Sequence, residues 1–391
     1  MDIQLISALV FFAILSVILY LHRDKIKTEG FFPIFYFSMF RTSLGLKKMN
    51  EYSKKYSRFL DVLSKIGVFV GFLGMILISG LLVYYLVKSF IAPSGPAAVQ
   101  LVLPFKVKGT FYVPFFYWLS CLTIIAFIHE FSHGVIARRR GIPIKSSGIA
   151  FLSLIVPIIP AAFVEPDENK VRKKPKMDQL SVFAAGPFSN LLLALFAFLV
   201  MILVLSPLNS QVYAPDGVLI NSVQDNFSAK VAGVGSGELI TGIGNDSIKN
   251  IADITRSLSK NKPGDPINFT TNKTSYLIHL KSNPNNASAP YIGVTLQEHY
   301  SLKNEYKSFQ WFFYGYDWIA GFFFWLFALN LGVGLFNLAP LGIVDGGRML
   351  QVGLYYIIKD KEKSDKIWKA ISLFFIVIVI SLILHGFIFG R

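Results

Sequence analysis

One cysteine, Cys121, is all the chain has, so no intramolecular disulfide can form and a cysteine-ligated zinc site is excluded. Set in an apolar run, it reads as a small buried hydrophobe. Charge is scarce as well: Asp, Glu, Lys and Arg make up 16% of the 391 residues, against 53% apolar residues. That balance excludes most soluble classes and points to a chain that crosses a membrane several times. The scarcer sign is acidic, 23 residues against 38 Lys and Arg, for a net charge of +15. In a soluble protein this excess would suggest nucleic acid. In a membrane protein it marks cytoplasmic loops, so position decides.

Long apolar runs are plentiful. Segments near Ile3–Leu21, Ile66–Phe90, Phe111–Ala137, Leu180–Ser206, Trp311–Pro340 and Ile367–Phe389 each approach the roughly 20 residues a spanning helix needs. The first is preceded by Asp2 and followed by its positive residues, which fits an uncleaved anchor with the N-terminus outside. Lys and Arg gather in three clusters, from Arg23 to Lys65, from Arg138 to Lys176 and from Arg348 to Lys369. Six crossings put all three on the cytoplasmic face of a multi-pass cell-membrane protein, and no nucleic-acid partner is needed. Gly148–Val164 is apolar but short, contains Pro157 and Pro160, and is flanked by basic residues on both sides. A re-entrant segment keeps both flanks inside; the alternative is a short tilted span.

From Pro207 to about Gln310 the composition turns polar and rich in Asn, Ser, Thr and Gly. Gly217–Val223 reads as a strand, Ser228–Gly233 as a short helix ended by glycine, Gly237–Ile243 with Ile248 as further strand, and Ile251–Ser259 as a helix. Pro266–Thr271 and Tyr276–Leu280 alternate like paired strands. The sequons at Asn226, Asn245, Asn268, Asn272 and Asn286 all fall here, on the side the six crossings place outside.

The chemistry is carried by His129-Glu130-Phe131-Ser132-His133, an H-E-x-x-H pattern inside the third apolar run. On a helix, residues four apart share a face one turn apart, so both imidazoles can reach one zinc while Glu130 stands beside the water that completes the site. The plainer reading is two satisfied histidines and a salt-bridged glutamate. Ionisable groups within a span are costly, however, and default to function. A catalytic zinc needs a third protein ligand, and His22, His279, His299 and His385 lie in unsuitable places. Asp345 is acidic in an otherwise apolar stretch, at the same depth as His133. Pro340 ends the fifth span, and Gly342, Gly346 and Gly347 permit turns that aim the aspartate inward. Its alternative is an aspartate capping the next helix.

The motif HEFSH, followed by Asn337-Leu338-Ala339-Pro340-Leu341-Gly342-Ile343-Val344-Asp345-Gly346-Gly347, resembles the site-2 protease family of intramembrane zinc metalloproteases. The second stretch matches that family's Asn-x-x-Pro-x-x-x-x-Asp-Gly, and Gly186-Pro187-Phe188-Ser189-Asn190 resembles its Gly-Pro-x-x-Asn. Together these cover about Phe111 to Met349, and Arg41-Thr42-Ser43-Leu44-Gly45 is similar to archaeal members. The insertion resembles a circularly permuted PDZ domain, the kind that binds peptide ends or edges by strand addition; a domain that only shapes access to the site is the alternative.

The resemblance implies one zinc per chain on His129, His133 and Asp345, with Glu130 as general base and Asn190 or Asn337 as donor to the oxyanion. It implies a membrane-protein substrate with a transmembrane helix, unwound locally before cleavage. The expected fold is an all-α polytopic membrane protein of six helices plus a re-entrant segment, with an inserted extracytoplasmic PDZ-like β/α domain. Its expected divisions are 1–110, the first helices and basic loop; 111–206, the first half of the catalytic core; 207–310, the PDZ-like domain; 311–349, the second half of the core; and 350–391, the last cytoplasmic segment and helix. A membrane zinc transporter and a catalytically silent PDZ scaffold are the rival readings. The transporter would need polar residues tracking across the bilayer, and the scaffold has no use for Glu130.

Overall fold

A computed structural model describes residues 3–31, 35–91, 99–154, 156–284 and 286–389. Six of its helices are long and apolar enough to cross a membrane. The chain divides into two compact units, Met1–Met201 with Trp318–Arg391, and Ile202–Asp317.

In chain order the first unit begins with α1 (Ile3–Leu21), β1 (Ile26–Phe31), β2 (Phe35–Thr42), α2 (Leu46–Lys55) and α3 (Ser57–Ile91). It continues through β3 (Leu101–Leu103), β4 (Thr110–Tyr112), α4 (Phe115–Arg139), β5 (Ile144–Leu154), β6 (Val156–Pro166), α5 (Glu168–Lys173) and α6 (Lys176–Val200). The expected third span opened at Phe111, but α4 starts at Phe115 because Pro114 takes its N-cap. Proline has no N–H to lose there, and its fixed φ suits helix entry.

The membrane unit is not all-α, which corrects the expectation. Residues 26–31, 35–42, 144–154 and 156–166 form an antiparallel sheet of order β1-β2-β5-β6. β2 pairs with β5 from Phe35↔Leu154 to Thr42↔Ser147, and β5 with β6 from Ile144↔Pro166 to Leu154↔Val156. The apolar segment Gly148–Val164, of which residue 155 lies outside the described residues, is therefore neither a helix nor a straight crossing. Its backbone polar groups need partners away from water, and hairpin pairing supplies them on the inner side. Prolines cannot donate to a ladder, and Pro157 and Pro160 lie on β6, the end strand, as that limit requires.

The second unit follows a π-helical stretch at Met201–Leu205. It contains α7 (Ser206–Val212), β7 (Tyr213–Val223), α8 (Ser228–Val231), β8 (Leu239–Ile243), β9 (Asp246–Ser247), α9 (Ile251–Leu258), β10 (Pro266–Thr271), β11 (Ser275–His279), β12 (Lys281–Asn283), β13 (Asn286–Tyr291) and β14 (Val294–Leu302). Its main sheet runs β11-β10-β8-β7-β14, with β9 on β8. Val218, Ile220, Ile240, Phe269 and Ile278 fill the core between sheet and helices. Asn250 caps α9 by accepting from Asp253 N–H. Glu238 is buried in this unit, and burial alone would raise its pKa. Hydrogen bonds from Thr271, Tyr276 and the Gly235 N–H, with Lys273 nearby, hold the carboxyl below its ordinary range instead.

The chain ends in α10 (Gln310–Asn337), α11 (Asp345–Ile357) and α12 (Lys361–Phe389). α10 stops ahead of Pro340, and α12 starts two turns earlier than its apolar run because Lys361–Lys366 extends it in polar residues.

Candidate metal centre

The site is built from α4, α6 and the start of α11. Two arginines anchor the end of α4. Arg139 pairs with Asp61 on α3, while Arg140 reaches Asp61 at 3.1 Å and Asp178 on α6 at 3.3 Å. About two and three helical turns back, His133 and His129 share the inner face of α4, and both are buried.

Asp345 opens α11, where the N-cap position belongs to Val344 and the aspartate makes no cap. The loop before it folds back so tightly that a Cβ on Gly346 would lie 2.2 Å from the Leu338 carbonyl oxygen, and one on Gly347 1.9 Å from that of Leu341. Only glycine allows this backbone approach. It turns the aspartate toward the histidines. Asp345 Oδ2 stands 3.1 Å from His129 Nε2 and 3.2 Å from His133 Nε2, and the two Nε2 atoms are 3.1 Å apart. Among the described residues these three make the one cluster of metal-ligand types close enough to hold an ion together.

Each imidazole is held from behind. His133 Nδ1 lies 2.7 Å from the Val182 carbonyl, which can only accept, so Nδ1 carries the proton. Val182 is on α6, whose internal Pro187 withholds its N–H from the neighbouring Phe183 carbonyl. His129 Nδ1 lies 3.0 Å from Asn190 Nδ2. Asn190 is fully buried, and its Oδ1 has no partner among the described residues. Gly186 completes the cradle on α6: a Cβ there would lie 2.3 Å from His133 Nε2 and 2.5 Å from His129 Nε2.

The donor set fits zinc. With Nδ1 of His133 protonated, its neutral Nε2 presents a lone pair, and this faces a carboxylate oxygen that also only accepts. Acceptors so close need a cation between them or a proton on the ring. Tetrahedral zinc with bonds of about 2.0–2.2 Å holds its ligands roughly 3.3 Å apart, a few tenths from the sides of this triangle.

Glu130 is not in the triangle. It is half-buried on the neighbouring face of α4, and its Oε2 accepts the Val164 N–H of β6 at 2.9 Å. Asn337, at the end of α10, is half-buried, and its amide makes no hydrogen bond among the described residues. The Gly186 cradle and the Val164 tether were not readable in the sequence, although the Gly-Pro-x-x-Asn motif marked the place.

Two buried imidazoles and a carboxylate converge here among helices long and apolar enough to cross a membrane, the donor set of a candidate metal site. The chain belongs to peptidase family M50, the site-2 protease family, which it matches over residues 117–382. An uncharacterized protein of Methanocaldococcus jannaschii is 32% identical over 183 residues, 46% of this chain and 47% of that one. A Brucella suis protein with a provisional zinc metalloprotease name is 25% identical over 207 residues, 44% of this chain and 52% of its own. The chain thus spans about half the length of the curated relatives it matches. The PDZ domain of an SdrC-like protein from Listeria monocytogenes aligns at 27% identity and TM-score 0.19, covering 21% of this chain and 87% of that one.

Proposed function

We propose that this protein is an intramembrane zinc metalloprotease that hydrolyses a peptide bond in or beside a transmembrane segment of a membrane-protein substrate, as in regulated intramembrane proteolysis. The observation that carries the reading is the triangle of His129, His133 and Asp345 inside a bundle of span-length helices. Those three residues would hold the zinc, which when bound supplies Lewis acidity toward a carbonyl and toward water.

The chain's own groups do the rest. Glu130 stands beside the ligands and is not one of them, so its carboxylate is free to take a proton from the attacking water and return it to the departing amine. The Val164 N–H fixes one carboxylate oxygen and leaves the other for that exchange. The uncommitted amide of Asn337 is a candidate donor to the developing oxyanion. β6 ends its sheet next to Glu130, so an unwound substrate can add to it as a further strand. The Ile202–Asp317 unit, with its order of strand, short helix, strand and capped helix, suits a PDZ-like domain that binds a peptide or screens the site.

A zinc transporter is disfavoured because the metal-ligand residues gather at one point and do not track along the helices. The test is cleavage of a single-span reporter in liposomes. Cleavage should be lost on adding 1,10-phenanthroline and restored by zinc. Cleavage that ignores the chelator would sink the metalloprotease reading.

The same proposal makes the protein multi-pass in the cell membrane, with the N-terminus and the PDZ-like unit outside and the basic loops cytoplasmic. In a Cys121→Ala background, single cysteines at Lys47 and Lys173 in sealed right-side-out vesicles should resist an impermeant maleimide, while one at Asn245 should react. Opposite accessibility of positions 47 and 173 would overturn the topology.

A further inference from the structure

We infer that Asn190 is a positioning residue for the metal site, presenting its amide oxygen to His129 and so fixing which ring nitrogen faces the metal. This rests on the proposed zinc function. It departs from the oxyanion-donor role that the motif alone suggested.

The two histidines are held in parallel ways. His133 Nδ1 donates to the Val182 carbonyl, which leaves Nε2 bare toward Asp345. His129 must do the same to serve as a ligand through Nε2, so its Nδ1 must carry a proton and find an acceptor. The atom 3.0 Å from His129 Nδ1 is Asn190 Nδ2, itself a donor. With the amide in that orientation His129 Nδ1 has to accept, and the proton moves to Nε2, where it would point at the other two ligands. A half-turn about the last side-chain torsion exchanges Nδ2 and Oδ1 and moves neither ring nor backbone. Oδ1 then accepts Nδ1–H, and Nε2 is free for the metal.

Two features support this. Asn190 Oδ1 is fully buried and lacks a partner among the described residues, so the acceptor is present and uncommitted. The helix on its outer side, α10, packs Gly334 against Asn190 Cβ and carries Asn330, also fully buried with an unpartnered Oδ1, one turn away. A buried, fully enclosed amide is also poorly exposed to a substrate carbonyl. Asn337, half-buried and unbonded, suits that task better.

The experiment measures zinc affinity by chelator competition, and cleavage at limiting and saturating zinc, for the full chain and its variants. Asn190→Leu removes the acceptor at similar volume and should weaken zinc binding about 10- to 100-fold, the usual effect of losing such a partner. Its cleavage should recover when zinc is saturating. Asn190→Asp keeps an acceptor in the same place and should bind zinc at least as tightly as wild type. Unchanged zinc affinity in Asn190→Leu, with cleavage lost even at saturating zinc, would overturn the inference in favour of an oxyanion donor. Weakened binding in Asn190→Asp would overturn it too, and needs no result from the leucine variant should that one fold poorly. Absence of zinc from the wild type is a separate outcome, and it would count against the metalloprotease reading itself.

Discussion

Glu130→Gln should retain its zinc and lose cleavage by a factor of about 10² to 10⁴, the usual worth of general acid–base help. The amide matches the carboxylate in shape, and its oxygen can still accept the Val164 N–H that Glu130 Oε2 accepts at 2.9 Å. Packing beside the ligands should therefore survive. What the amide cannot do is take a proton from water at neutral pH. The ligand triangle of His129, His133 and Asp345 is untouched, so metal content measured by mass spectrometry should equal that of wild type. Cleavage close to wild type would remove Glu130 from the mechanism. Loss of zinc would instead mean that Glu130 shapes the metal site.

Gly186→Ala should empty the site as thoroughly as deleting a ligand. A methyl group 2.3 Å from His133 Nε2 and 2.5 Å from His129 Nε2 occupies the space where the metal and its ligands meet. Neither ring can swing away cheaply. His133 is tied through Nδ1 to the Val182 carbonyl and His129 to Asn190, and breaking a buried hydrogen bond costs on the order of 1–3 kcal/mol. α6 cannot simply retreat either, since Asp178 at its start is paired with Arg140, the residue that caps α4. Zinc stoichiometry in the variant should fall to the level of His133→Ala, with a helical circular-dichroism signal unchanged from wild type. Near-full zinc in Gly186→Ala would show that the cradle has slack these distances do not suggest.

Much of this site is legible in the sequence because polar residues stand out against apolar helices. His129 and His133 advertise themselves by their four-residue spacing, and Asp345 by its isolation in an apolar stretch. Their convergence across more than 200 residues of chain is a tertiary fact that only depth in the bilayer hinted at. The sheet in the membrane unit stayed hidden for a related reason. Phe35–Thr42 looks locally like any apolar-aromatic run beside a basic loop, and its partner strand is far along the chain, Thr42 meeting Ser147 105 residues later. In the polar unit the short elements were readable from glycine and alternation, but β14, which pairs with β7 along most of its length, was not. Its residues Val294–Leu302 alternate between half-buried and exposed, and only Val294, Leu296 and Leu302 among them are aliphatic, so the pattern is weak. The roles of Gly186 and Asn190 lie in what they touch across a helix interface, and spacing along one chain cannot express that.

The triangle of ligands also joins segments far apart in the chain. His129 and His133 come from α4 and Asp345 from α11, and inside a bilayer the hydrophobic effect does not press helices together. An ion bound to all three would act as a reversible cross-link. It would favour the assembled bundle by about 2.7 kcal/mol when free zinc is 100 times its dissociation constant, and by almost nothing when zinc is scarce. The supply of metal would then govern how long the assembled protein persists, as well as whether it can cut.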